Sequence, residues 1–591
     1  MGLFQMAVET YDSMENLAGK RVAEKEILAP IGHIITKASI EITIDEKGNY
    51  VSASKVDEKI PIPVTEKSSG RTSSPEAHPL CDTLEYIAAL DDKKHESYLN
   101  ALRDWACSEY SDIKLELIYE YVRRGSVLND LKNADLLIYD NSNNIKNKKD
   151  IISWRVIGIG TNSGSVCDDS NLQKLFHKYY EMKNNHTTEY CMITGERTQL
   201  ANQHIKGISS LNGNAKVISA NDTSNFTYRG RFKDATEALT ISYEASQKAH
   251  NALKWLISND GIKIGNNRTI VCWNPHGIST PQINLPLLFN NEDKKSVSSY
   301  RETLKRVIYG YKKALNENEP VVIATFDAAT SGRLSVTYYN ELNGSDFLNR
   351  LMYWDNTCCW YSSKWGASAP SLYHIANFAF GTYRGDTKSG KFDTDIRVLS
   401  QQMQRLISCR VDKVLFPKDI LKNVVSNTSK LQLYSSDVRE KILFTSCAVI
   451  RKYRNDYYME DLSMTLDSTK KDRSYQYGRL LAVLEKIERD TYSSDEKREP
   501  NAIRLQAFYV QRPQAAFSQI MTQLKTAYYP RLNKGTRVFY DNIIGDIMNV
   551  ISSFELSEIG KPLDEMYLVG YYLQKNNLYM KKDIAETEEV Q

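Results

Sequence analysis

The sequence has no long apolar segment and no export signal. Its hydrophobic runs fall short of the roughly 20 residues that span a bilayer. The first residues lack the basic start and the apolar stretch of a secretory signal, and Met6 occupies the position where a myristoylated protein has serine or threonine. We therefore expect a cytoplasmic protein that has no membrane partner.

Cysteine pairs with disulfide or metal-binding spacing are also missing. The nine cysteines are scattered, none belongs to a C-x-x-C pair, and only Cys358 and Cys359 are adjacent. This spacing argues against a disulfide framework and a zinc ribbon, and it fits a reducing compartment. We interpret the adjacent pair as packing residues and expect no bound metal.

Neither sign of charge dominates the chain. There are 76 basic and 73 acidic side chains, which give a net charge of +3 over 591 residues. A protein of this charge does not bind nucleic acid through its average field, so any such contact must come from a local cluster. Hydrophobic residues make up 41% of the chain, which predicts a large folded core and about four domain-sized units.

Common catalytic motifs are absent. The sequence has no G-x-x-x-x-G-K-[ST] phosphate loop, no G-x-S-x-G elbow and no H-E-x-x-H, and none of its nine histidines is followed by aspartate. The best enzymatic candidate is Cys191 with Glu196 and His204, which would supply a thiolate nucleophile or two metal ligands. A complete site needs further partners, and none is evident. We therefore favour a structural role for these residues, and expect a protein that is not an enzyme and uses no cofactor.

The apolar pattern predicts an α+β fold, with a mixed α/β N-terminal and central region followed by an all-helical C-terminal bundle. Ile40, Ile42 and Ile44 alternate with polar residues, as in a half-buried strand, and a Gly-containing turn follows them. Further strand-like runs and one long amphipathic helix occupy the central region. The strand-like runs are residues 215–220, 269–273, 320–328 and 333–339, and the helix is 241–257.

From about Leu466 the pattern is helical throughout. Four apolar stripes follow one another, and none can bury its face alone, so we expect a compact bundle. The stripes lie at residues 477–487, 517–528, 540–551 and 562–574. The predicted divisions of the chain are residues 1–140, 151–460 and 466–582.

Three segments are candidates for contact with nucleic acid, and the first is a loop rich in serine and glycine. Its composition is unsuited to a helix or an inner strand. Glycine allows close approach, hydroxyl groups bind phosphates, and a lysine or arginine reaches a base edge. The candidate residues are Lys67, Ser68, Ser69, Gly70, Arg71 and Thr72. An ordinary solvated connection is the alternative.

The other two segments combine cations with aromatic rings. One is residues 225–233, for which a β-edge or a turn is the alternative; the other runs from Lys497 to Arg537, where eight cations accompany one acidic residue, Glu499. The candidate residues are Arg229, Arg231 and Lys233 in the first, and Arg504, Arg512, Lys525, Arg531, Lys534 and Arg537 in the second. Such side chains would follow a phosphate backbone, whereas a merely solvated face would not bind it.

Several segments that run through nearly the whole chain form a recognisable series. They are residues 60–87, 191–208, 213–232, 247–257, 269–273, 474–490 and 568–579. The stretch YGRLLAVLEKIERD at residues 477–490 is the most specific of them. Taken in order, these segments resemble the large subunit of the type I-C CRISPR surveillance complex, Cascade.

This resemblance implies a role in RNA-guided recognition of DNA. Pairing with a guide RNA (crRNA) would read the target sequence, while this subunit would read a short flanking motif in double-stranded DNA through Lys67–Thr72, aid unwinding and hold the displaced strand. The implied partners are the crRNA, the target duplex, the other backbone and small subunits of Cascade, and a helicase-nuclease recruited in trans. That nuclease would carry out the cleavage.

The resemblance also implies a short small subunit made from an internal start in the same gene. It would cover the helical tail, and Met459 and Met464 lie at suitable positions before the bundle.

The residues themselves leave two other functions open. One is a stand-alone nucleic-acid enzyme that uses Cys191 and His204, and the other is a purely structural scaffold that binds protein partners but not DNA.

Overall fold

The computed structural model describes residues 2–588 except 72–73, 161–163, 185–186, 210–212, 219–231, 233–234, 289–294, 331, 494 and 497. The chain divides into two compact units. Unit 1 comprises residues 1–279 and 320–341, and unit 2 comprises residues 280–319 and 342–591. These limits differ from those of the three predicted divisions. The predicted domain boundaries therefore remain a prediction.

Unit 1 is built from helices and strands that alternate along the chain. Its helices are α1 (Leu3–Ser13), α2 (Glu66–Gly70), α3 (Leu84–Ile87), α4 (Asp92–Ala106), α5 (Ile113–Arg123), α6 (Val127–Asn133), α7 (Ser170–Lys183), α8 (Ala235–Ala238) and α9 (Tyr243–Asp260). Its strands are β1 (His33–Ile44), β2 (Tyr50–Pro63), β3 (Ile152–Val156), β4 (Thr188–Tyr190), β5 (Arg197–Gln199), β6 (Ile262–Ile264), β7 (Arg268–Trp273), β8 (Pro320–Thr330) and β9 (Arg333–Asn343), whose end passes into unit 2.

Two sheets organise the core of unit 1. The first has the strand order β2-β1-β3, with β1 antiparallel to β2 and parallel to β3. Ile40, Ile42 and Ile44 of β1 are buried in this core, which confirms the predicted hairpin. The second sheet has the order β6-β7-β8-β9, and β7 runs antiparallel to both of its neighbours. Helices α1 and α9 pack with this sheet in a second apolar cluster.

Unit 2 is mainly helical. Its helices are α10 (Val297–Ala314), α11 (Gly344–Thr357), α12 (Leu372–Phe380), α13 (Ile396–Val411), α14 (Lys418–Thr428), α15 (Ser436–Tyr458), α16 (Arg473–Arg489), α17 (Asn501–Arg504), α18 (Gln506–Gln511), α19 (Pro513–Gln523), α20 (Lys534–Ile551), α21 (Leu556–Ile559) and α22 (Met566–Glu588). Its strands form two short hairpins, β10 (Trp360–Ser362) with β11 (Gly366–Ser368) and β12 (Thr382–Gly385) with β13 (Gly390–Asp393).

The predicted α+β fold class with a helical C-terminal part is confirmed. The helical part begins earlier than predicted, because the elements described after β13 are helices from Ile396 onward rather than from about Leu466. In α15 every residue from 442 to 453 is buried. Residues 474–488 of α16, which was predicted, are buried in the same way.

Two glycines allow α16 and α22 to approach each other closely. A Cβ atom on Gly478 would lie 1.9 Å from the carbonyl oxygen of Tyr567, and one on Gly570 would lie 2.0 Å from that of Tyr475. The two helices therefore pack backbone against backbone, at a distance that no larger residue permits. This contact joins two of the segments that carry the resemblance to the Cascade large subunit.

A buried charge cluster also joins α16 to α22. The Glu485 carboxylate accepts hydrogen bonds from Arg489 Nε at 2.7 Å, from Lys575 Nζ at 3.0 Å and from the Tyr571 hydroxyl. Burial alone would raise the pKa of Glu485, but the charges of Lys575 and Arg489 outweigh it and lower the pKa to about 2.

Among the helices of the described residues, none is long and apolar enough to cross a bilayer.

Candidate nucleic-acid interface

The serine- and glycine-rich segment after β2 begins with a single turn of helix, α2. The expectation of a plain loop is therefore wrong for residues 66–70. Thr65 caps the turn, since its Oγ1 accepts a hydrogen bond from Ser68 N at 3.0 Å and Thr65 N donates to Ser68 Oγ at 2.9 Å. This reciprocal pair satisfies amide groups at the start of the helix, and it offsets the low helix propensity of serine and glycine.

Buried contacts fix the inner side of α2. The Ser68 side chain is buried, and its Oγ lies 2.9 Å from Nδ1 of His78. Burial lowers the pKa of His78 to about 4, so its ring is neutral at neutral pH. Glu66 accepts hydrogen bonds from the backbone amides of Asn202 and Gln203, both at 3.0 Å. Ser68 is therefore a structural residue in this conformation.

Arg71 follows α2 and is engaged within the protein. Its Nη1 and Nη2 atoms lie 2.7 and 2.6 Å from the two carboxylate oxygens of Asp82, which is fully buried. Nη1 also donates to the carbonyl oxygen of Glu76 at 2.8 Å, and the guanidinium lies 4.5 Å from the centre of the Tyr86 ring. Burial works against the charge of Arg71, but the bonds to Asp82 prevail and raise its pKa.

The outer side of α2 is what remains available to a ligand. Lys67 and Gly70 are exposed, Ser69 is half-buried, and Ser69 Oγ donates to the carbonyl oxygen of Glu66 at 3.1 Å. Thr72 lies outside the described residues. The structure thus brings the predicted residues 67–71 together on one short turn, with Lys67 as the free cation and Arg71 held by Asp82. That they read a flanking motif remains a prediction.

The second predicted segment, with Arg229, Arg231 and Lys233, lies outside the described residues. The third forms helices α17 to α20 of unit 2. Its candidates are dispersed over short elements: Arg504 ends α17, Arg512 precedes α19, Lys525 lies in a π-helical turn at Leu524–Tyr528, Arg531 lies in a 3-10 turn, and Lys534 and Arg537 begin α20.

Buried apolar residues position this cationic segment. Ala516, Ile520, Leu524 and Tyr528 are buried along α19 and the π-helical turn, and Pro513 occupies the first turn of α19 as the sequence predicted. The inward side is therefore apolar, and the outward side carries the cations. Insertion of a π-helical turn is uncommon and frequently marks a functional part of a helix.

Four of the candidate cations in this segment are exposed, and their side chains have no hydrogen-bond, ion-pair or ring contact among the residues that the structure describes. They are Arg504, Arg512, Lys525 and Lys534, termed here the four C-terminal cations. The two other candidates have internal contacts. The Arg531 guanidinium lies 5.8 Å from the Tyr528 ring, and Arg537 Nε donates to the Leu532 carbonyl oxygen at 2.8 Å.

Helix geometry does not explain why these cations are present. Arg512 and Lys534 lie at the N-terminal ends of α19 and α20, where the helix dipole disfavours positive charge by about 0.3–1 kcal/mol. The sequence from residue 500 to residue 540 contains no Asp or Glu, so the local field is not neutralised by neighbours in the chain. This arrangement can attract an anionic polymer.

Cys191 and His204 contact different residues. Cys191 is buried, and its Sγ accepts hydrogen bonds from the amides of Ser242 at 3.3 Å and Ile193 at 3.4 Å. Burial raises the pKa of this thiol, but the backbone donors outweigh it and lower the pKa. His204 is also buried, and its Nδ1 lies 2.8 Å from Ser246 Oγ. Each residue thus has separate partners.

The Glu196 side chain is exposed, and its backbone carbonyl oxygen accepts a hydrogen bond from the amide of Cys191 at 2.9 Å. Among the described residues, no three His, Cys, Asp or Glu side chains are grouped so that they would hold a metal ion. Asp82 was not predicted as a site residue from the sequence. It lies eleven positions after Arg71, and a contact between two such residues leaves no periodic signal in a sequence.

Comparison with curated proteins gave no match. A family model described as CRISPR-associated protein (Cas_Csd1) matches residues 8–579, nearly the whole chain. The prediction of a CRISPR-associated family is therefore confirmed, whereas the type I-C assignment remains a prediction. On this match, the protein belongs to the CRISPR-associated Cas_Csd1 family.

Proposed function

We propose that this protein is the large, non-catalytic subunit of a type I-C RNA-guided CRISPR interference complex. In that role it recognises a flanking motif in double-stranded DNA, aids unwinding, holds the displaced strand and helps to recruit the helicase-nuclease. Membership of the Cas_Csd1 family supports the CRISPR context. The exposed Lys67 in unit 1 and the four C-terminal cations in unit 2 support direct contact with nucleic acid.

The observation that carries the proposal is the acid-free segment of unit 2. Residues 500–540 contain no carboxylate side chain, and the four C-terminal cations project from them into solvent. Each cation that contacts a phosphate releases a condensed counterion, so that log K falls with log salt by about 0.7 per contact on a single strand and about 0.9 on duplex. A nearly neutral chain can bind DNA strongly by this local effect.

The turn formed by α2 supports the reading of a flanking motif. Lys67 is exposed on it, so a base edge can meet a cation there. The ion pair of Arg71 with Asp82 holds the backbone of this turn in place. We assign the contact with a base to Lys67 and the positioning of the turn to Arg71.

The energetic demand on such contacts is small. Exchanging a DNA duplex for a heteroduplex with guide RNA is nearly balanced in free energy, so a few protein contacts decide whether unwinding begins. A good base contact discriminates by about 1–3 kcal/mol. The proposal needs the crRNA, the other Cascade subunits and a nuclease in trans, and it assigns no catalytic residue, metal or cofactor to this chain.

An internal start at Met459 or Met464 would give a small subunit made of α16 to α22. Met459 is exposed at the end of α15, and Met464 lies ahead of α16. Such a fragment would lack α15, which packs on α22 in the full chain. The C-terminal cations would then occur both in the large subunit and in free copies along the displaced strand.

The test uses the complex assembled from this chain and the products of its neighbouring genes. Arg504, Arg512, Lys525 and Lys534 are all replaced by alanine, and affinity for a duplex with target and flanking motif is measured over a salt series. The proposal predicts that the slope of log K against log salt falls by roughly 3 to 4. The matched control replaces four exposed lysines of unit 2. They are Lys388, Lys391, Lys422 and Lys430.

The control variant should bind as the wild type does. An unchanged slope in the first variant, with assembly intact, would instead favour the structural scaffold. Cleavage of DNA by the purified chain alone, or stoichiometric zinc bound to it, would favour the stand-alone enzyme. Each of these three results would contradict the proposal.

A further inference from the structure

Helix α10 of unit 2 carries an exposed face that the sequence analysis did not single out. Tyr309 on this face is 72% exposed, more than the other exposed aromatic side chains of the described residues. Tyr300, Leu304 and Ile308 lie on the opposite side of the helix and are buried. The helix is therefore fixed by its apolar side, and Tyr309 is held out in solvent.

Every near neighbour of Tyr309 on this face is a cation. Residues three and four positions away lie beside a given residue on a helix. For Tyr309 these neighbours are Lys305, Arg306, Lys312 and Lys313. Residues 297–314 hold five basic side chains and one acidic side chain, Glu302. An exposed ring is thus surrounded by positive charge on a rigid helix.

The contacts within the protein leave most of this charge available. Lys312 Nζ donates to Asn349 Oδ1 at 3.0 Å, and Arg306 Nη2 donates to Thr303 Oγ1 at 3.3 Å, so both remain without a carboxylate. Lys305 and Lys313 are exposed and have no ion-pair partner among the residues described in the structure.

Structural explanations account for only part of the arrangement. Lys312 and Lys313 lie in the last turn, where the helix dipole favours cations. Lys305 and Arg306 lie in the middle of α10, where the dipole has no such effect. Glu302 lies three residues before Lys305 and four before Arg306, a spacing at which opposite charges favour a helix, but no ion pair joins it to either among the described residues. Arg301 pairs with Asp461 at 3.6 Å. An exposed tyrosine also contributes little to the core.

Gly310 adds an independent indication. It lies in the interior of α10, where glycine is less favourable than alanine, and a Cβ atom there would meet nothing within 4 Å. No close packing within the protein therefore requires this glycine. Its absent side chain leaves bare backbone directly beside Tyr309, where a ligand can approach closely.

We propose that this face of α10 binds a single-stranded stretch of nucleic acid. The ring of Tyr309 stacks on an unpaired base, and Lys305, Arg306, Lys312 and Lys313 contact the phosphates on either side. Aromatic rings and cations interleaved in this way bind single strands with little sequence preference, whereas the bases of a duplex are already stacked on one another. This site is separate from the C-terminal cations, and it does not require a guide RNA, a flanking motif or a partner subunit.

The first test locates the strand on the full chain. A single-stranded oligonucleotide with 5-iodouracil is irradiated with the purified protein, because this base cross-links to an aromatic ring on which it stacks. Cross-links are expected in the tryptic peptide of residues 307–312. Cross-links that occur only in other peptides would overturn the proposal.

The second test measures affinity, in a chain whose four C-terminal cations are already replaced by alanine. Tyr309→Ala is expected to weaken binding of a labelled oligothymidylate roughly 5- to 150-fold, while Tyr309→Phe keeps the stacking surface and binds nearly as the parent does. Tyr373→Ala is the matched control, because Tyr373 is 47% exposed on α12 and has no charged residue three or four positions away. Equal affinity of Tyr309→Ala and its parent would overturn the proposal.

The same protein tests whether the cations of this face bind phosphates, and whether its ligand is a nucleic acid or an acidic protein. Lys305→Ala with Lys313→Ala should reduce the salt slope on single strands by about 1.4, whereas Lys388→Ala with Lys391→Ala should leave it unchanged. Oligonucleotides of DNA and of RNA show which sugar is preferred. If a polyglutamate peptide binds more tightly than either oligonucleotide and also depends on Tyr309, the face fits an acidic protein and the proposal is wrong. Failure of these tests would leave the duplex assay of the assembled complex unaffected.

Discussion

Arg71 and Asp82 form a buried bidentate ion pair, with the guanidinium nitrogens 2.7 and 2.6 Å from the carboxylate oxygens. Asp82 also accepts hydrogen bonds from the amides of His78 and Thr83, at 2.8 and 2.7 Å. Its carboxylate therefore ties α2 to the chain that leads into α3. A residue that sequence reasoning assigned to DNA has a partner within the fold, and this changes how its substitution must be interpreted.

Arg71→Ala should loosen the structure around Asp82. The substitution leaves a buried carboxylate without its counter-charge, which costs about 3–5 kcal/mol for a buried pair. Hydrogen exchange of the peptide covering residues 74–86 measures the effect, and faster exchange is expected in the variant. Arg71→Ala combined with Asp82→Ala should restore part of the protection, because no buried charge then remains unpaired. Unchanged exchange in the single variant would show that the pair does not hold the turn.

Lys67→Ala should weaken recognition of the flanking motif without loosening the turn. Lys67 is exposed, so its loss leaves no buried group unpaired. We expect the assembled complex to lose about 1–3 kcal/mol of affinity for a motif-bearing duplex, and less for a duplex without the motif. Lys93→Ala, an exposed lysine of α4 in the same unit, is the control. Equal losses on both duplexes would mean that Lys67 touches phosphate and reads no base.

Gly478→Ala should strongly destabilise the packing of α16 on α22. The added methyl would lie 1.9 Å from a carbonyl oxygen of the facing backbone, which cannot turn aside as a flexible side chain does. The expected cost is about 3 kcal/mol or more. Gly545→Ala on α20 is the control, since a Cβ there meets nothing within 4 Å and alanine favours the helix. The midpoint of thermal unfolding should fall for the first variant only; a fall of similar size in both would contradict the close packing.

Glu485 should make unit 2 sensitive to acid. Its pKa is lowered from the model-compound value of 4.5 to about 2 in the folded protein. A lowered pKa contributes stability that is present above the unfolded value and is lost as the pH falls towards the folded value, so the loss lies between about pH 4.5 and pH 2. The linked free energy is about 3 kcal/mol.

Glu485→Gln should remove the part of the stability that is lost in acid. It should also lower stability at neutral pH, because Arg489 and Lys575 lose their common anion. Thermal unfolding over a pH series measures both effects. Glu558→Gln is the comparison, because Glu558 is an exposed partner of Lys561 and contributes little to stability. A pH profile that is the same for Glu485→Gln and wild type would contradict the assignment.

Periodic parts of the fold could be predicted from the sequence. The alternation of Ile40, Ile42 and Ile44 gave the hairpin, because this strand buries one face. The stripe from Tyr477 to Ile487 gave α16, although every residue from 474 to 488 is buried. The early start of the helical part was not predicted, and burial on all sides is no explanation, because α16 is buried in the same way as the middle of α15.

The candidate site was predicted less well, because contacts between distant residues have no period. The pairing of Arg71 with Asp82 joins two residues that no helical or strand period relates. The face around Tyr309 did have a signal, since its cations lie three and four residues away on both sides. It becomes significant only when the ring is seen to be exposed and not part of the core.

The central claim is that this chain works within an RNA-guided complex. Expression together with its neighbouring genes, followed by purification through a tag on this chain, tests the claim most directly. The account predicts that a short RNA of uniform length copurifies in a fixed ratio to the protein, and that nuclease digestion of this RNA abolishes target-specific binding of DNA. Purification of an intact assembly that contains no such RNA would contradict it.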